Sequence, residues 1–303
     1  MRDEFSDEFS GGWFNTDNWD NPTDFLFAAW SFTPNNVEVE DGVLKLFAKY
    51  DKHNRPSDGR QFYFKSGMLR SKNTVNYGYY EAKIKGAEVW PGSCTAFWLY
   101  SKTPFSDIAP QGENAISYNE IDVIELQQIA RDKDIIACNM HFYALEKDED
   151  GKLNNQRYMA SKYPHLGQNQ FDLSEHWGED HWLPEDDFHI YAVENRPDSV
   201  VFYIDNQRVA SKPNYYWHMD MHLCLSLGLR TPFEYYLRDG SRFASPTTEE
   251  EAIEAGFPAM MEIEWVRSYH RRGGEYNEEI FPSSKIPFDP ESEPVKRSDN
   301  RQK

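Results

Sequence analysis

Val37-Glu-Val-Glu-Asp41-Gly42-Val-Leu-Lys-Leu-Phe-Ala48 alternates apolar and polar residues on either side of an Asp-Gly pair. Period-two alternation is the mark of a strand with one buried face. Asp-Gly supplies the positive φ angles of a tight hairpin turn, so the stretch reads as two antiparallel strands. The same grammar recurs outward from it. Ser199-Val-Val-Phe-Tyr-Ile204 runs through Asp205-Asn206 into Gln207-Arg-Val-Ala210, another hairpin, and Phe188-His-Ile-Tyr-Ala-Val193 precedes it across Asn195-Arg-Pro-Asp198. Ser66 to Lys72 and Met260 to Tyr269 read as strands too. In Tyr77-Gly-Tyr-Tyr-Glu-Ala-Lys-Ile-Lys-Gly86, Tyr80, Ala82 and Ile84 share one face, while Tyr79, Glu81, Lys83 and Lys85 share the other. Thr95-Ala-Phe-Trp98-Leu-Tyr100 is mostly apolar and suits a strand deep in a sheet. Helix is scarce. The clearest case is Thr247 to Gly256, with threonine caps, an acidic first turn and a terminal glycine. The expectation is an all-β sandwich of two antiparallel sheets.

Long irregular stretches are expected at about 101–119, 145–187 and 231–258, the lengths at which loops form binding walls. Residues 1–284 read as one domain, and 285–303 as a polar tail with little to bury. Aromatics make up 16% of the 303 residues against a mean hydropathy of -0.80. That excess fits either a large β core or an aromatic surface for stacking on sugar rings. The net charge of -19 argues against nucleic-acid or anionic-membrane binding, both of which need a positive field. Cys94, Cys138 and Cys224 form no metal-binding spacing and read as three buried thiols. No stretch of about 18 apolar residues spans a membrane. The first ten residues lack the apolar segment of a secretory signal.

Glu120-Ile-Asp122-Val-Ile-Glu125 carries the chemistry. Alternation puts Glu120 and Asp122 on one face and would send Glu125 into the core, where a lone carboxylate is costly. One extra residue, a β-bulge at Val123-Ile124, returns Glu125 to the face of the other two and keeps the apolar side chains inside. Glu120 to Glu125 then covers about four strand steps, roughly 13 Å, and two inclined glutamates leave their carboxyls roughly 5–6 Å apart. Retaining glycosidases hold their carboxyls about 5–5.5 Å apart and inverting enzymes hold them wider. Crowding and burial are expected to raise one carboxyl's pKa, giving an acid beside an ionised nucleophile. The alternatives are a plain acidic strand face, which like-charge repulsion disfavours, and a calcium site, which would want more Asp, Asn and Gly.

The hexapeptide resembles the signature of glycoside hydrolase family 16, in the form with an extra bulge residue found in laminarinases, agarases, porphyranases and carrageenases. Several segments are similar more narrowly to the κ-carrageenase branch: Tyr77 to Ala87, Trp90 to Ser101, Glu125-Leu-Gln-Gln128, Tyr216-Trp217-His218, Ser226-Leu-Gly-Leu-Arg230-Thr-Pro232 and Gly256 to Arg267. Together they reach from about residue 37 to 270. The resemblance implies a β-jelly roll with a groove across its concave sheet and endo-hydrolysis of β-1,4 bonds in a red-algal galactan. It implies Glu120 as nucleophile, Asp122 as its electrostatic helper and Glu125 as acid/base. Trp98 would floor the sugar at the cleavage point, Arg230 would bind the sulfate of a 4-sulfated galactose, and His141 would face the same site. Trp90, Tyr100, Gln128, Arg157 and Trp217 lie in the same segments or beside them and are further candidate substrate contacts.

One departure stands out. The branch carries a Trp in the loop after the His141 strand, whereas Leu145 to Tyr163 holds Arg157 and Tyr158 and no Trp. With so acidic a chain, a sulfated substrate would be read by local arginines and lysines. κ-Carrageenan, furcellaran and hybrid β/κ-carrageenan all fit that description. A β-agarase, a porphyranase, a transglycosylase and a non-catalytic galactan-binding jelly roll are the competing expectations. Catalysis by carboxylates needs no metal or other cofactor. The resemblance allows a structural calcium on the convex side and implies a monomer that is secreted, periplasmic or held at the cell surface.

Overall fold

The computed structural model of the protein describes residues 1–23, 28–56, 58–126, 132–159, 170–237 and 241–270. Two large sheets carry the fold. One runs in the order Trp19–Asp20, Met68–Ser71, His222–Leu229, Ser93–Lys102, Ile116–Leu126, Ile135–Lys147 and Leu153–Met159, with Gln170–Asp172 also paired to Ile135–Lys147. The other runs Gln207–Pro213, Ser199–Ile204, His189–Asn195, Gly78–Lys85, Ala259–Tyr269, Val43–Asn54, Gln61–Ser66 and Ser31–Phe32, with Val37–Glu40 beside Val43–Asn54. Pairing is antiparallel except that Ser31–Phe32 lies parallel to Gln61–Ser66. The expected two-sheet jelly-roll sandwich is what forms.

Alternation explains how the layers meet. Leu44, Leu46 and Ala48 from one sheet, with Tyr80, Ala82 and Ile84, face Phe97, Leu99, Ile121, Leu225 and Leu227 from the other, and all are buried. The hairpins sit where the sequence puts them. Asp41 and Gly42 adopt φ of 52° and 77°, and Asp205 and Asn206 adopt 47° and 62°, the paired left-handed conformations of a type I′ turn. The helix is Glu249–Glu254, capped by the Thr248 side chain, which accepts from the Glu251 N–H. Cys94, Cys138 and Cys224 are free and buried.

Two expectations change. Ser66 to Lys72 is not one strand: Gln61–Ser66 ends in one sheet and Met68–Ser71 begins in the other. Gly67 makes the crossing, and a Cβ there would lie 2.3 Å from the Asn36 carbonyl oxygen. The long irregular stretches are also more ordered than the sequence suggests. Residues 101–119 hold the helical turn Phe105–Ile108 and the start of Ile116–Leu126, residues 145–187 hold Leu153–Met159, Gln170–Asp172 and the helix Leu173–Trp177, and residues 231–258 hold the hairpin Glu234–Tyr236 with Arg242–Ala244. The expected tail, 285–303, and the domain limit at 284 lie outside the described residues, which end at His270. Among the described residues no helix is long and apolar enough to cross a membrane.

Candidate active site

The strand carrying the three candidate carboxylates is Ile116–Leu126, held between Ser93–Lys102 and Ile135–Lys147. Glu120 sits opposite Tyr100 and His141, and Asp122 opposite Trp98 and Asn139. Glu125, three residues on, sits opposite Ala96 and Ala137, only two residues on in each neighbour. The extra residue is therefore a bulge within Val123-Ile124, as the sequence requires. Val123 and Ile124 are both buried in the core, and all three carboxylates line one groove of about 960 Å³. The neighbours obey the same parity. Cys94, Ala96, Trp98, Tyr100 and Lys102 line the groove from one side, and Asn139, His141 and Tyr143 from the other. Ser226, Gly228 and Arg230 continue it across the sheet, and Asn155 and Arg157 close the far edge.

Hydrogen bonds fix this face. The Trp98 indole Nε1 donates to the Ser226 hydroxyl at 3.0 Å, and its ring lies 5.0 Å from that of Tyr100. Tyr100 accepts from Arg70 at 3.0 Å, and Arg70 is paired with Asp20 at 3.1 Å. The His141 Nε2 lies 3.4 Å from the Glu120 Oε1 and 3.2 Å from the Asp122 Oδ2, bridging the two acids. Tyr118 donates its hydroxyl to Glu120. Arg157 approaches Glu120 at 3.7 Å, and its Nε makes no hydrogen bond. Arg230 donates to the Glu125 Oε1 at 2.7 Å, Asn139 donates to the Glu125 Oε2, and the Cys94 thiol lies 3.7 Å from the Oε1.

The electrostatics depart from the expectation in one respect. Burial and the nearby Asp122 charge raise the Glu120 pKa, against the pull of His141, Arg157 and the Tyr118 hydroxyl. Burial and the charge of Glu125 push Asp122 well up. Burial opposes ionisation of Glu125 too, but the charge and hydrogen bond of Arg230, with His141 and Asn139, outweigh it and hold this carboxyl at about 2. The sequence argument gives one raised carboxyl serving as the acid. In the structure the raised carboxyls are Asp122 and Glu120, and the expected acid is the ionised one. The cause is Arg230, whose reach to Glu125 across 105 residues of chain no local spacing reveals.

Several other candidates find definite places. Trp98, Tyr100, His141, Arg157 and Arg230 all line the groove. Trp217 does not. Its side chain is fully buried, and its Nε1 donates to the backbone carbonyls of Glu120 at 3.0 Å and His141 at 2.9 Å, so it braces the Ile116–Leu126 and Ile135–Lys147 pair from the core. Trp90 is half-buried beside Lys133, whose Nζ lies 5.8 Å from the ring, and is not among the groove-lining residues. Gln128 lies outside the described residues. Sequence reasoning passed over Tyr118, Asn139 and Ser226, though the first two could have been found: each lies two residues before a candidate and so shares its face. The groove also takes Trp30 and Phe32, and Glu234, Tyr236 and Arg242 from the hairpin, which only the tertiary fold brings there.

The Glu120, Asp122 and His141 side chains place possible ligand atoms within 4.8 Å of one another, which a metal ion could use.

Residues 1–271 match the family described as β-porphyranase A–D, GH16 domain. The chain is a member of glycoside hydrolase family 16. Within this family it is 34% identical over 281 residues to the κ-carrageenase of Pseudoalteromonas carrageenovora, covering 89% of this chain and 64% of that one. It thus spans just under two thirds of that relative's length. The crystal structure of the P. carrageenovora κ-carrageenase with an oligotetrasaccharide of κ-carrageenan superposes with a TM-score of 0.72 at 32% identity, covering 88% and 93% of the two chains. A κ-carrageenase from Zobellia galactanivorans superposes with a TM-score of 0.74 at 32% identity, covering 89% and 95%. The likeness to the κ-carrageenases expected of this family 16 chain is therefore found in both sequence and structure.

Proposed function

We propose that this family 16 protein is a retaining endo-hydrolase of β-1,4 linkages in a carrageenan-type sulfated galactan. The observation that carries the reading is the bulged strand: it brings Glu120, Asp122 and Glu125 to one groove floor, with Arg230 beside Glu125. In the first step the Glu120 carboxylate attacks the anomeric carbon, the bond to the glycosidic oxygen breaks, and Glu125 gives its proton to that oxygen. In the second step Glu125, now the base, takes a proton from water as the water oxygen displaces Glu120. His141 and Asp122 hold the charge next to Glu120, and Trp98 offers an aromatic face for the sugar. Four basic side chains, Lys102, Arg157, Arg230 and Arg242, line the groove of a chain whose net charge is -19, which supports a sulfated substrate. Groove architecture suits a long chain cut internally. Such a substrate is extracellular, so we propose a secreted, periplasmic or surface-held enzyme acting as a monomer without a catalytic cofactor. The convex-side calcium stays a proposal without assigned ligands.

The family description favours a porphyranase as the second reading. Incubation with κ-carrageenan, furcellaran, ι-carrageenan, agarose and porphyran, with the anomeric configuration of the first products followed by NMR, separates the two. Cleavage of κ-carrageenan or furcellaran to β-configured ends is expected. Activity confined to porphyran or agarose would overturn the substrate, and α-configured ends would overturn the mechanism. Glu120→Gln is expected to abolish turnover and leave oligosaccharide binding intact.

A further inference from the structure

Glu125 poses a problem for the reaction just described. A general acid must carry a proton when the substrate is in place. Here Arg230 donates to its Oε1 at 2.7 Å and Asn139 to its Oε2, so both oxygens accept and neither is set up to hold hydrogen. Every group facing Glu125 bears on this. Asp122 on the same strand repels its charge, His141 and Arg230 attract it, and Cys94 is buried and held as the neutral thiol. Glu234 lies close enough to Arg230 to favour its charge. Arg230 is thus the decisive cation.

The same arginine also faces the groove. Its Nη1 is tied to the Leu229 carbonyl at 2.9 Å, which fixes one end of the fork while the Nη2 reaches Glu125. A third of the side chain is exposed to the groove. Gly228 makes room for it: a Cβ there would lie 3.3 Å from the Arg230 Nη1 and 3.2 Å from the Trp30 ring. A guanidinium that close to both a carboxylate and the sugar path has two possible anionic partners, and a sulfate ester offers it several oxygens in matching geometry.

We propose that Arg230 is shared between Glu125 and a sulfate ester on the bound sugar, so that the substituent the enzyme recognises also releases Glu125 to act as the acid. The proposal rests on the sulfated-galactan reading. It makes sulfation a requirement for catalysis as well as for binding. A neutral galactan could enter the groove and stack on Trp98, yet leave Arg230 on Glu125. Once the guanidinium turns to the sulfate, the charge that favoured the Glu125 carboxylate is spent on another anion. Burial and the neighbouring Asp122 then favour the protonated form. The proton it receives is the one it later donates to the glycosidic oxygen, and water restores it in the second step.

The test uses the full chain carrying Glu120→Gln, which blocks turnover, with glutamate side-chain carboxyls labelled with carbon-13. Glu125 is assigned by adding Glu125→Gln. NMR titration of the protein alone should find Glu125 ionised down to about pH 2. A bound sulfated tetrasaccharide should raise its proton affinity by at least about a hundredfold, which is also the factor by which the protonated fraction rises at pH well above both the free and the bound titration points. The chemically desulfated tetrasaccharide should leave it unchanged. Arg230→Met should show the raised affinity with no sugar present and no further response to either one. Binding of the sulfated sugar with no change at Glu125, or an Arg230→Met protein titrating like its parent, would overturn the proposal while the substrate reading stood. A sulfated sugar that neither binds nor is cleaved by the parent enzyme would overturn that reading, and the proposal with it.

Discussion

Trp217→Phe separates a core brace from a sugar platform. The substitution keeps a ring that can pack edge-on against Phe142, now 5.7 Å away at 89°. It deletes the N–H that serves the Glu120 and His141 carbonyls at 3.0 and 2.9 Å. Leaving buried acceptors short of a donor costs about 1–3 kcal/mol. The smaller ring leaves a void worth about 1 kcal/mol more. For a chain of this size each kcal/mol lowers Tm by about 2–4 °C, so a fall of roughly 4–16 °C is expected by calorimetry. The loosened backbone sits directly under Glu120, the proposed nucleophile, so kcat should drop by up to about tenfold through its misplacement. KM for the tetrasaccharide should stay within about twofold, because Trp217 does not reach the groove. A large rise in KM with an unchanged Tm would refute the reasoning and return Trp217 to the role its sequence neighbourhood suggests.

Tyr118→Phe removes a donor to the Glu120 carboxylate, so Glu120 holds its proton to higher pH and, if it is the proposed nucleophile, the acid limb of kcat/KM should move upward; a limb that stays in place would show the hydroxyl to be idle. Gly67→Ala forces a methyl against the Asn36 carbonyl at the crossing between sheets and should cost about 1–3 kcal/mol in urea denaturation. Arg230→Met bears on stability as well as turnover. The ordinary Glu125 value is 4.5 and the folded value about 2, so this group adds stability above pH 4.5 that is lost as pH falls toward 2. The deficit of the variant should therefore be largest above that window and shrink across it; a deficit independent of pH would mean that Arg230 acts only by packing.

What the sequence disclosed, and what it hid, divides along physical lines. Hairpins at Asp41-Gly42 and Asp205-Asn206 are legible because a tight turn is a local matter of backbone angle. The bulge is legible because a buried lone glutamate is expensive enough to exclude strict alternation. Leu153–Met159 was hidden: Leu-Asn-Asn-Gln-Arg-Tyr-Met has little apolar alternation, since this edge strand turns Asn155 and Arg157 to the groove and needs few apolar residues. Gly67 looked like part of one strand because adjacent alternating runs cannot say which layer each will join. Trp217 was misread because an aromatic residue near a sugar site suits stacking and bracing equally well, and only its indole partners tell them apart. The pairing of Arg230 with Glu125 is a tertiary contact and left no trace in spacing.

The central strand has an unusual position in the molecule. Ile116–Leu126 is hydrogen-bonded on both edges, pressed into the core by Ile121, Val123, Ile124 and Leu126, and turned to the groove by Tyr118, Glu120, Asp122 and Glu125. Almost nothing on it is at liberty to drift. Diversification of substrate taste in such a protein must then come from its margins: the outermost strand bearing Arg157, the Glu234–Tyr236 hairpin, and the approach around Trp30. A library aimed at new glycans would place its variation there and leave the spine of the groove untouched.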